Sequence, residues 1–141
     1  PDDVDVVLVH DAARALAPVV LVERVIAAVG AGVAAVVPGL PVHDTVRSVG
    51  PDGAPHETLD RDRLRIVQTP QGFVRTWLAA AHTAAAEAGR TATDDAALVE
   101  AIGGRVVVVD GSEEAFKVTR PLDLLLAEAL LDHRRAAEAQ R

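Results

Sequence analysis

The chain has 141 residues, half of them apolar, no cysteine and a formal charge of −7. That is the length of one domain with enough apolar content for a core, and it excludes a disulfide scaffold, a thiolate nucleophile and a Cys-ligated metal. The acidic balance argues against a nucleic-acid surface, and neither a membrane-length apolar run nor a basic leader is visible, so a cytoplasmic protein with no nucleic-acid or membrane partner is expected.

Residues 4–9 (VDVVLV) form a β-branched apolar run, expected to be a strand covered on both faces of a parallel sheet. HDAAR follows directly, placing Asp11 and Arg14 at the strand's carboxyl end. Residues 19–29 carry apolar positions at helical spacing behind Pro18, with Gly30 and Gly32 as stop signals. Residues 34–37 read as a second buried strand. From 40 to 68 the pattern turns to short, partly polar runs on either side of GPDG (50–53), which predicts a projecting β-hairpin arm over about residues 41–64.

Residues 64–67 return to strand character and end in QTPQ. An Ala-rich helix is expected over 73–87, closed by Gly89, and the polar loop TATDD follows. A short helix over 96–102 stops at Gly103 and Gly104, and RVVVV (105–109) is a further buried strand whose following loop delivers Lys117 within FKVTR. From Thr119, TRPLDLLLAEALL combines a cap candidate, an early proline and a helical apolar stripe. The alternation predicts an α/β fold, a mostly parallel Rossmann-like sheet with helices on both faces and ligands beyond the carboxyl ends of its strands.

That rule points to Asp11, Arg14, Thr69 and Lys117. Asp11 is a candidate for holding Mg²⁺ or a ribose, or else it caps its turn with Arg14 paired to it at the surface. Thr93, at an expected helix start, is placed either to meet an anion or to cap the helix. His43, Asp44, Arg47, Arg61 and Arg63 on the arm read as solvated unless they have company. His10, His82 and His133 lack metal-ligand spacing, so no protein-ligated metal is expected; Phe73, Trp77 and Phe116 read as packing residues.

Taken in order, HDAAR, DT (44–45), DR (60–61), QTPQ, TDD and KVTRP resemble the 2-C-methyl-D-erythritol 4-phosphate cytidylyltransferase family across essentially the whole chain. The resemblance implies a nucleotidyltransferase fold and transfer of CMP from CTP to 2-C-methyl-D-erythritol 4-phosphate, with release of pyrophosphate, in non-mevalonate isoprenoid biosynthesis. It implies that Asp11, Ala12 and Arg14 line the site between nucleotide and acceptor, that Thr69, Thr93 and Lys117 surround the acceptor and reacting phosphates, and that Lys117 stabilises charge at the α-phosphate. Thr45 and Arg61 match arm residues that in the family reach the partner subunit's acceptor site, so a homodimer is implied, with Mg²⁺ arriving on CTP.

The family's Gly-rich CTP loop has no counterpart in these residues. The expectation is therefore the carboxyl-terminal part of a single nucleotidyltransferase domain, inactive alone. One departure is Ala15 where the family usually has proline, with Pro18 coming later. Rival readings are a nucleotidyltransferase for another polyol phosphate, such as ribitol 5-phosphate, and a non-catalytic dimerisation fragment.

Overall fold

The computed structural model describes residues 4–30 and 32–140. β1 (Val6–Val9) leads through the HDAAR loop to α1 (Val19–Ala28), whose N-cap is Pro18 and whose Leu21 and Val25 are buried. α1 lies directly on the sheet because Gly72 leaves it room. A Cβ at that position would stand 2.6 Å from Val25 Cγ1 and 2.8 Å from Val29 Cγ2, too close for any side chain without displacement.

β2 (Ala35–Pro41) is the central strand, buried from Ala35 to Gly39. Beyond it the chain leaves the sheet as the expected arm, in which β3 (Arg47–Val49) pairs antiparallel with β4 (Pro55–Thr58) through an irregular register. Gly53, at φ +79°, supplies the left-handed residue of its turn. A single 3₁₀ turn, Arg61–Arg63, follows, and Arg61 Nη1 donates to the His43 carbonyl across the base of the arm.

The return gives β5 (Arg65–Val67) and β6 (Gln71–Val74), then α2 (Arg75–Glu87), α3 (Asp95–Ala101), β7 (Val106–Asp110) and α4 (Pro121–Glu138). The α/β architecture is as expected, but the sheet is mixed rather than mostly parallel. β1–β6, β2–β6 and β2–β5 are antiparallel, and among the described strands only β2–β7 is parallel. The reason lies in the connections. A parallel neighbour needs a long crossover, and the stretch from β2 to β7, which includes α2 and α3, provides one, whereas a hairpin arm brings the chain back as β5 alongside β2 in the opposite direction.

β6 also explains why the predicted helix starts too early. Phe73 belongs to this strand, wholly buried between Val7 and Ala35, and α2 begins only at Arg75. Phe73, Val99 and a set of alanines and valines (34, 35, 37, 81 and 96) make the core under α2 and α3. At the far end of α2, Gly89 at φ +58° stops the helix as its position predicts.

The start of α4 is fixed by Asp123 rather than by Thr119, the expected cap. Asp123 Oδ2 accepts from the Thr119 and Arg120 backbone N–H groups at 3.0 and 2.8 Å and from the Thr119 hydroxyl at 3.3 Å. The backbone bond from Thr119, then that from Arg120, holds its carboxyl below the ordinary value of 3.8. Because the folded-state value lies below the unfolded one, this cap is fully present above the ordinary value and is lost as pH falls through the lowered one. The stability gap between Asp123→Ala and the unmodified chain, followed by denaturant melts, is expected to close as the buffer is taken below about pH 4. A gap that stays constant from about pH 7 to about pH 2.5 would exclude this role.

Most of α4 is open to solvent: Leu122, Leu124, Leu125 and Leu126 are exposed, and only Ala127 is buried. Arg134 ties the helix down, donating to the Leu16 carbonyl at 2.9 Å and to Glu114. No described helix is long and apolar enough to cross a membrane.

Candidate functional site

A cleft of about 340 Å³ opens where β1 and β5 end, between them and the starts of β6 and α3. Five of the residues singled out from sequence line it: Asp11, Arg14, Thr69, Thr93 and Lys117. Ala12 is exposed beside Asp11 without lining the cleft, and Thr45 and Arg61 stand on the arm, outside it. The strand ends thus bring together residues far apart in the chain, Asp11 and Lys117 being the most distant pair in contact.

Asp11 is the meeting point. Its Oδ2 lies 3.1 Å from Lys117 Nζ and 3.5 Å from Arg14 Nε. Its backbone N–H donates to Thr69 Oγ1 at 2.9 Å, and that hydroxyl also lies 3.0 Å from His10 Nδ1. Thr69 therefore braces the HDAAR loop as well as lining the cleft.

The two cations differ in freedom. Arg14 is largely enclosed: Nη1 donates to the Ala115 carbonyl at 2.8 Å and Nη2 to the Val67 carbonyl at 3.5 Å, so its guanidinium stitches β5 to the loop before Lys117. Its Nε is buried without a hydrogen-bond partner among the described residues. Lys117 is about half exposed on a flexible stem and can leave Asp11 for an arriving phosphate oxygen at little cost, since exposed ion pairs contribute at most about 1 kcal/mol.

Four polar residues of the cleft wall, Gln68, Gln71, Asp94 and Asp95, were not singled out from sequence, although QTPQ and TDD contain them. Gln68 is buried, and its amide is engaged at both ends. Oε1 accepts from Ser112 N–H at 3.0 Å while Nε2 donates to the Ser112 carbonyl at 2.8 Å, so the side chain imitates a strand and anchors the loop that leads to Lys117. Val118 N–H, donating to the Ala13 carbonyl at 2.8 Å, completes that anchorage.

On the opposite wall the capping role considered for Thr93 falls to its neighbour. Asp94 is the N-cap of α3, accepting from Ala97 N–H at 2.9 Å, which leaves Thr93 one residue upstream, exposed at the cleft.

The arrangement can hold a small phosphorylated molecule and present one mobile ammonium group to it. The family model described as 2-C-methyl-D-erythritol 4-phosphate cytidylyltransferase matches residues 1–133. A protein of that name from Streptomyces avermitilis is 57% identical over 141 residues, covering 96% of this chain and 55% of the relative, and one from Streptomyces coelicolor is 55% identical, covering 96% and 51%. The chain thus spans about half the length of the curated relatives it matches. Among solved structures, the enzyme of the same name from Thermus thermophilus superposes with a TM-score of 0.80 at 46% identity, over 91% of this chain and 62% of that one. In sequence, in fold and in the motif residues gathered at its cleft, this chain belongs to the 2-C-methyl-D-erythritol 4-phosphate cytidylyltransferase family.

Proposed function

We propose that the chain forms the acceptor side of a cytoplasmic enzyme that transfers CMP from CTP to 2-C-methyl-D-erythritol 4-phosphate, releasing pyrophosphate, in non-mevalonate isoprenoid biosynthesis. The observation that carries this reading is the meeting of Asp11, Arg14 and Lys117 at one cleft with Thr69 and Thr93. We infer that the triphosphate is held by an amino-terminal part of the kind the family pattern describes, and that the chain without it does not turn over.

The acceptor's phosphate oxygen is already an anion at neutral pH, so attack on the α-phosphorus needs no general base. The new oxygen–phosphorus bond forms as the bond from the α-phosphorus to the β-phosphate oxygen breaks, and the electron pair leaves with pyrophosphate. The obstacle is repulsion between anions. Lys117 meets it at the reacting phosphates, and Arg14, held by carbonyl groups, sustains a positive potential behind Asp11. Asp11 is this chain's candidate carboxylate beside a triphosphate-bound Mg²⁺, which would supply charge neutralisation there. Thr45 and Arg61, set apart from the cleft on an exposed arm, fit a role across a homodimer in the partner's acceptor site.

Pyrophosphate release from CTP and Mg²⁺ tests the reading, with methylerythritol phosphate and ribitol 5-phosphate as competing acceptors for the chain completed by its amino-terminal part. Turnover is expected with the first acceptor, and equal use of ribitol 5-phosphate would sink the substrate assignment.

A further inference from the structure

The buried polar side chains among the described residues are Gln68 and Gln71, on either side of the Thr69–Pro70 break between β5 and β6. A glutamine is seldom buried unless its amide has partners, and the partners state its task. Gln68 serves the Lys117 side of the cleft. Gln71 serves the other side: its Nε2 donates to Asp94 Oδ2 at 3.0 Å, while Asp94 Oδ1 is occupied by Ala97 N–H. Asp94 lines the cleft, and each of its oxygens accepts from another element of the chain, so it acts as a staple between them.

The staple joins two elements. Gln71 is paired with Val9, the last residue of β1, which leads directly into His10 and Asp11. Asp94 begins α3 and directly follows Thr93. The next carboxylate, Asp95, is held from α2 by His82, with Nε2 2.7 Å from Oδ1. Thr93 therefore stands on a loop whose following two residues are pinned separately, one to the sheet and one to a helix. The bond from Gln71 sets the distance of that loop from the Asp11 side of the cleft. Its donor must be neutral and short enough for a buried site: a glutamate there would face a carboxylate, and a lysine would carry a charge into a buried position.

We propose that Gln71 is a positioning residue which, through Asp94, fixes Thr93 where it meets the acceptor; this rests on the cytidylyltransferase reading above. The staple acts on Thr93, which that reading assigns to the acceptor. Its loss is therefore felt in the binding of the acceptor and not of CTP.

Gln71→Glu sets two carboxylates against each other, and adding Asp94→Asn restores the bond with donor and acceptor exchanged, while the new asparagine still caps α3. In the completed enzyme, Q71E is expected to raise KM for methylerythritol phosphate about tenfold, the loss of one charge-assisted hydrogen bond, with KM for CTP within about twofold; Q71E/D94N returns the acceptor KM to within about threefold of the unmodified value. A fall in kcat alone, with both KM values unchanged and no rescue in the double variant, would mean that Gln71 only supports the fold, and the proposal fails. A second measurement does not depend on catalysis. In the chain itself, the near-isosteric Gln71→Met is expected to speed amide hydrogen exchange about tenfold over residues 91–95 relative to the centre of α1, and unchanged exchange there would overturn the staple. Should the unmodified enzyme show no turnover, the functional reading falls while the exchange result still decides whether Gln71 holds the loop.

Discussion

Replacing Lys117 with methionine in the completed enzyme is expected to lower kcat for CMP transfer by about 10²–10³-fold, the usual loss when one preorganised charge facing the transition state is removed. Methionine keeps the length of the stem and removes only the ammonium group. The geometry makes the effect specific. Arg14 cannot substitute, because its guanidinium is bound to the Ala115 and Val67 carbonyls, whereas Lys117 touches only the exposed carboxylate of Asp11. Asp11 then loses the nearer of its two cations and keeps only Arg14 Nε at 3.5 Å, so its negative charge is less well balanced and adds repulsion toward an incoming phosphate. Folding is spared: the pair is exposed, so the melting point of the variant is expected to move by no more than the equivalent of about 1 kcal/mol. Lys117→Arg restores part of the rate because charge is kept while its placement is not. A K117M enzyme within about tenfold of the original kcat would remove Lys117 from the chemistry.

Phe73→Ala is expected to cost about 3–5 kcal/mol, a large share of the roughly 5–15 kcal/mol that holds a domain of this size together. Phe73 is the largest of the fully buried side chains, and the chain has only two phenylalanines, one tryptophan and no methionine with which to fill space. Its neighbours are mainly alanines and valines on strands and helices, short side chains that cannot swing into the hole. The expected fall in melting temperature is about 10 °C or more by circular dichroism, with Phe73→Leu losing markedly less. A shift of under about 3 °C would show that β6 is not the spine of this core.

Much of the fold is legible in sequence because β1 and β7 are runs rich in valine, β2 opens on the apolar run at residues 35–37, and Gly30, Gly89 and Gly103 punctuate the helices where the chain needs a left-handed residue. β6 is not legible. Four residues, QGFV, interrupted by a glycine and running straight into an alanine-rich helix, carry too little alternation to declare a strand, and without β6 the antiparallel character of the sheet is hidden.

The site divides in the same way. Asp11, Arg14, Thr69, Thr93 and Lys117 follow from strand ends and motif order. Gln68 and Gln71 escape notice because glutamine is usually a surface residue. Gln68 finds its partners 44 and 47 residues away and Gln71 finds Asp94 23 residues away, distances over which no local pattern in the sequence speaks. The division of labour between Arg14 and Lys117 is hidden for the same reason: both are cations in motifs, and only the carbonyls around Arg14 separate the anchor from the mobile charge.

The close seating of α1 on β6 also constrains how the family can drift. Position 72 shares one small volume with Val25 and Val29, so a lineage that acquires alanine there can keep it only if positions 25 and 29 have both already given up room. The three positions should therefore change in a fixed order over evolutionary time, with the helix side giving way first and the glycine last.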